Sequence, residues 1–220
     1  MDSRFPAYLR WFVKKLDFMA LPNLGRFIVA AAVIAFVAKN ILHVPMDRFI
    51  FDPQAVLDGE LWRLIVFPSQ GITDLIWLFF FVLYIFFVFD AIEGHWGPGP
   101  TTVFTLFSYI MAITGAFVVG EPTPIWLYVV ENISLAFGTL FPDLELYIYF
   151  VLPVKAKWLA LLAGALLLFQ FVMAGVPGKI MYVMVMSPYL IFFSPFLFSK
   201  IRNRSRSRDF YKKLDPKDWR

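Results

Sequence analysis

Glu131, Asn132 and Ser134 are the residues of this chain whose types and spacing come closest to a reactive constellation. A carboxylate and a hydroxyl close together on one helix could serve a hydrolase with a rearranged site. They could equally form a polar patch that binds a partner helix. Glu131 could also sit near the outer surface, solvated or protonated. Other chemistry has little to work with. The chain has two histidines, His43 and His95, and no cysteine, which excludes a disulfide, a thiolate metal site and a cysteine nucleophile. The acids are scattered and no histidine cluster has metal-ligand spacing, so neither metal nor cofactor is expected. Gly94, Gly97 and Gly99 alternate with Pro98 and Pro100 and lack the lysine of a phosphate loop, so they read as a turn.

The elements that hold these residues are set by composition. Of 220 residues, 60% are hydrophobic and only 16% charged, with a mean hydropathy of +0.70. A soluble domain has roughly 25% charged residues. This chain therefore has too much apolar surface for a soluble enzyme, and it is equally unlike a disordered protein or a disulfide-stapled secreted domain. The expected class is an all-α, multi-pass integral membrane protein of one domain.

Six apolar segments near the required ~20 residues fall at about 26–44, 74–92, 103–120, 125–141, 156–175 and 180–199. The fourth is the most polar because it holds Glu131 and Asn132. Gln170 in the fifth suits an interhelical hydrogen bond. Ser187-Pro188 and Ser194-Pro195 in the sixth predict bends on one face, which would fit a bulky neighbour or open a lateral gate. The connection at 45–73 is too apolar and aromatic for a solvated loop, so it is expected to be folded and partly sunk in the membrane.

Residues 1–25 predict an amphipathic interfacial N-terminal helix. Leu9, Phe12, Val13 and Leu16 share a face, and Trp11 is a plausible anchor. No signal peptide is visible in this stretch. Residues 26–200 form the six-helix membrane domain, and 201–220 a basic tail. The net charge of +4 is concentrated at the two ends, a pattern that suits anionic lipid rather than nucleic acid. With six spans, 16 Lys and Arg fall on the side of the termini. Only Lys39, Arg48, Arg63 and Lys179 fall on the other, so both termini are expected in the cytoplasm.

Three stretches, in order, resemble the rhomboid family of intramembrane serine proteases. The first is Gly59-Glu60-Leu61-Trp62-Arg63-Leu64. The second is Ala91-Ile92-Glu93 followed by Trp96-Gly97. The third runs from Leu135 to Pro142 and leads into Pro153-Val154-Lys155-Ala156-Lys157-Trp158. The resemblance covers about 45–200 and implies a six-transmembrane-helix rhomboid-like bundle with a membrane-embedded first loop. Because bacterial rhomboids often share the third pattern, it also implies a bacterial inner membrane. Trp62, Arg63, Glu93 and Gly97 take structural roles by this analogy, Trp62 and Arg63 bracing the first loop by packing and by hydrogen bonds to carbonyls.

The family's chemistry is absent. The nucleophile position falls near Leu127, the histidine position at Pro188, and the oxyanion-assisting positions at Trp77 and Phe81. The resemblance thus implies a pseudoprotease that binds transmembrane client or partner proteins and perturbs the surrounding lipid. The alternatives are the rearranged hydrolase above and a structural subunit of a larger membrane complex.

Overall fold

The computed structural model describes residue 15 and residues 17–65, 68, 72, 74–148 and 152–213. The expected amphipathic helix and its anchor Trp11 lie mostly outside these residues. Within them, Asp17–Met19 is a single 3-10 turn. The described chain is helical apart from one small hairpin. Its long helices are α1 (Leu24–Asn40), α2 (Leu75–Trp96), α3 (Pro98–Val119), α4 (Ile125–Leu140), α5 (Ala156–Met173) and α6 (Val176–Lys213). Four are long and apolar enough to cross a membrane: α2, α3, α5 and the Val176–Ser194 part of α6. The other two expected segments are helical but shorter, 17 residues in α1 and 16 in α4.

Local chemistry sets the boundaries. Asp74 caps α2, its carboxylate accepting from the amides of Ile76 (2.9 Å) and Trp77 (3.0 Å). The Gly/Pro turn expected between the second and third segments is reduced to a single junction. Gly97 turns the chain at φ 90 and ψ 166, a region open essentially to glycine alone, and Pro98 starts α3 at its first helical position.

The sixth segment does not stop at 199, and helix continues through Lys213. Nor do its prolines interrupt it. Each proline removes the donor for the carbonyl four residues back. The hydroxyl of Ser187 donates to Met184 O (2.7 Å), and that of Ser194 to Ile191 O (3.4 Å), the two carbonyls affected. In hydrocarbon, where water cannot stand in, this local replacement keeps the backbone satisfied.

An all-α expectation misses the hairpin between α4 and α5. Strands β1 (Glu145–Ile148) and β2 (Leu152–Lys155) pair antiparallel, Glu145 opposite Lys155. The stretch is rich in aromatic and β-branched residues, which fit extended backbone better than helix.

The core lies between α2, α3, α4 and α6, around Val88, Phe104, Ala112, Ile133, Phe137 and Val185. Small residues let α3 and α6 touch closely: a Cβ on Gly115 would come within 2.9 Å of Met181 Cγ. Lower down, Phe104 meets Phe192 edge-on at 5.1 Å.

The first connection is folded, as expected from its composition. Asp52 and Pro53 start a short helix over Pro53–Leu57. Phe51 is buried against Phe117 (5.4 Å), and its carbonyl accepts from Thr123 N (2.7 Å), tying the connection to the junction of α3 and α4. Tyr109, about 15 Å along α3 from Val119, donates to Leu64 O (3.0 Å). The connection therefore runs beside the middle of an apolar helix and not over its end.

Candidate functional site

Helix α4 is the hub around which polar groups gather. Its polar and small residues address three of its four helical neighbours. Toward α6, the buried Asn132 amide donates to Val185 O (2.8 Å) and to Tyr128 O (3.2 Å) on its own helix. Two turns on, the Thr139 hydroxyl donates to Leu135 O (2.8 Å) and so accepts from Tyr189 (2.7 Å). Toward α2, Ser134 donates to Val130 O (2.6 Å), and its oxygen is hydrogen bonded to the Tyr84 hydroxyl. Toward α5, Gly138 allows near contact of the backbones. A Cβ there would lie 2.3 Å from Ala160 Cβ and 2.8 Å from Ala156 O.

Glu131 belongs to a different group. Tyr182 on α6 donates to Gln170 Oε1 on α5 (2.8 Å), which realises the interhelical bond expected for Gln170. The Tyr182 ring in turn meets that of Tyr128 on α4 edge-on at 6.0 Å, and Tyr128 lies within electrostatic reach of Glu131. Glu131 Oε2 and Asn132 Oδ1 are both buried and have no hydrogen-bond partner among the described residues. A buried acceptor without a donor costs roughly 1–3 kcal/mol.

The structure thus brings Glu131, Asn132 and Ser134 onto one helix but not onto one site. Asn132 addresses α6 and Ser134 addresses α2. The Ser134 hydroxyl is bonded to a carbonyl and a tyrosine, and it makes no hydrogen bond to a carboxylate or imidazole among the described residues. Of the positions matched by resemblance, Leu127 is on the exposed face of the first turn of α4 and Trp77 is exposed at the start of α2. Phe81 is partly buried and Pro188 is buried within α6. Neither histidine is near these positions in the chain. His43 follows α1 with φ 52, and His95, in the last turn of α2, stacks edge-on with Phe141 at 5.4 Å.

The tyrosines of the Glu131 group are what sequence reasoning missed. Their signal was present: a tyrosine inside an apolar segment needs a partner for its hydroxyl. Tyr128 lies three residues before Glu131, one turn away on the same face.

The structural motifs divide. Arg63, its side chain only 11% exposed, bonds the Glu60 carboxylate and donates to Ile50 O (3.1 Å), so it ties two parts of the first connection together. Trp62 is 58% exposed, which corrects the expectation that it braces by packing. The 3-10 turn Leu61–Leu64 turns successive side chains to different sides, and only Arg63 faces inward. Glu93 accepts from Asn23 N (2.8 Å), fixing the left-handed residue that starts α1. Gly97 N donates to Glu93 O (2.7 Å) and closes α2.

Outside the helices, Asp143 and Lys157 pair at 3.1 Å across the base of the hairpin, and the ammonium holds the Asp143 carboxyl below its ordinary pKa. No group of three or more His, Cys, Asp or Glu that could hold a metal occurs among the described residues. In comparisons with family models, with curated proteins and with solved structures, none matches this chain.

Proposed function

We propose that this chain is a six-span, rhomboid-like membrane protein without protease chemistry, which binds transmembrane partner proteins and acts on the lipid around it. One observation carries the reading: the seam between α4 and α6. A protease of the resembled family needs a nucleophile and a base facing each other there. Here the residues at those positions are Leu127 and Pro188. The seam is closed by Asn132 on Val185 and by Tyr189 on Thr139. Nucleophilic catalysis needs a hydroxyl within reach of a base, and this seam offers two hydroxyls bonded to each other.

The short helices are compatible with six spans. At 16 residues, α4 extends about 24 Å against a hydrocarbon core of about 30 Å. It packs against α2, α3, α5 and α6. Both termini are cytoplasmic in this reading, and a bacterial inner membrane is the setting that the resemblance suggests. The rearranged hydrolase is less well supported, because the Ser134 hydroxyl is bonded to Val130 O and Tyr84 and not to a base among the described residues.

Three measurements test the proposal. A fluorophosphonate probe should leave the purified protein unlabelled. Mild-detergent purification should yield membrane proteins in fixed proportion. Reporter fusions at both ends should read as cytoplasmic. Labelling that Ser134→Ala abolishes would replace this reading with the hydrolase.

A further inference from the structure

We infer that Glu131 is a docking point for one cationic side chain, a Lys or Arg carried near the outer end of an otherwise apolar partner helix. The inference rests on the helix-binding reading above and names the chemistry of the partner.

The proton inventory around Glu131 is one-sided. Tyr182 gives its proton to Gln170. The Asn132 amide protons are committed to Tyr128 O and Val185 O. What remains is two buried oxygen acceptors on α4, Glu131 Oε2 and Asn132 Oδ1, with no donor among the described residues. An excess of acceptors calls for a donor, and a carboxylate in a low-dielectric setting calls for a positive one. The described residues do not supply it. Lys179, at the start of α6, is exposed and forms no ion pair among the described residues.

Depth and access fit a partner helix. Glu131 is six residues into α4 and Tyr182 six into α6, so both lie about 9 Å from their helix starts. A Lys or Arg near a helix end reaches that depth by extending its alkyl stem along the protein. Glu131 as a whole is only half-buried, so its side chain borders the surface although Oε2 does not. The adjoining end of α5 exposes Phe169, Val172 and Met173, an apolar surface on which such a helix can lie.

The test uses the full chain in phosphatidylcholine vesicles and synthetic Leu-Ala transmembrane peptides. One peptide carries a single Lys two turns from its outer end, and a matched peptide carries Leu there. The chain has no cysteine, so an Arg208→Cys variant accepts one fluorophore, and binding is read by energy transfer. The Lys peptide should bind about tenfold more tightly than the Leu peptide, equivalent to about 1.4 kcal/mol. Glu131→Gln should abolish that preference and Glu131→Asp should retain it.

Equal binding of the two peptides to the wild-type chain overturns the inference and needs no variant to be folded. It leaves the helix-binding reading standing. A preference that survives Glu131→Gln also overturns it. Loss of the preference when phosphatidylethanolamine replaces phosphatidylcholine overturns it too, by making a lipid amine the occupant. If neither peptide binds, the inference fails, and co-purification of native membrane proteins decides separately whether the broader reading fails with it.

Discussion

Helices α4 and α5 are neighbours in sequence and in space, yet they are opposite in kind. The longer α5 is apolar enough to cross a bilayer, and Leu161, Leu168 and Phe169 are exposed along it. The shorter α4 carries Glu131, Asn132, Ser134 and Thr139, and Ile125, Val129, Ile133 and Ala136 are buried along it. In water the more apolar helix would be the inner one. In a bilayer, lipid solvates apolar side chains as well as protein does, so hydrophobicity does not drive a helix inward. Small residues that permit close contact, and polar groups that need partners, do so instead. The comparison makes α4 the organising helix and α5 its lipid-facing cover.

The largest expected effect is at their contact. Gly138→Val would drive a branched side chain into Ala160 and the Ala156 carbonyl. It should cost about 3 kcal/mol, the upper end for overpacking, and lower the melting temperature in detergent. Ala160→Gly should restore part of that loss. An unchanged melting temperature would break the assignment of α4 as the closely packed helix.

The first connection repeats the contrast on a smaller scale. Arg63→Ala removes a mostly buried guanidinium from Glu60 and Ile50 O and should cost about 1–3 kcal/mol. Trp62→Ala removes a larger but mainly exposed side chain and should cost less than about 1 kcal/mol. Equal losses in thermal denaturation would show that Trp62 is buried by something the bundle itself does not provide.

Within α4, Asn132→Leu deletes the bond to Val185 O, and interhelical bonds of this kind are worth about 0.6–1.7 kcal/mol. On α5, Leu168→Ala should change stability by less than about 0.5 kcal/mol, because it exchanges one lipid contact for another. Chemical denaturation of the two variants side by side sharpens the comparison. A larger loss at Leu168 would place α5 against protein.

The smallest effect is at the hairpin that joins the two helices. Lys157 holds the Asp143 carboxyl below its usual value. The pair's contribution is therefore complete above the ordinary carboxylate pKa of about 4. It fades as the pH falls through the lowered folded value. Asp143 is fully exposed, so Asp143→Asn should barely alter melting at neutral pH. Whatever difference exists should vanish at strongly acid pH.

Composition and periodicity alone determined that the chain is helical and membrane-like and roughly where its helices lie, because a bilayer fixes the length of any apolar crossing. Sequence also determined that Gln170 and Arg63 would need partners, since such groups are costly to leave unpaired in an apolar setting. It did not reveal the hairpin, whose apolar residues suit a strand and a helix segment equally well. Nor did it reveal the burial of Arg63 beside an exposed Trp62, which depends on the direction of one 3-10 turn.

Only the tertiary structure separated Glu131, Asn132 and Ser134. Adjacent residues on a helix point about 100° apart, so Asn132 was turned to α6 while Ser134, two positions on, was turned to α2. Conversely, it joined Tyr128, Tyr182 and Gln170, which lie up to 54 positions apart in the chain, and left the Glu131 carboxylate beside them with no donor among the described residues. Sequence states which groups need partners. Which partner each one meets is decided by how the helices pack, because hydrogen bonds form only over about 3 Å and only in the right direction.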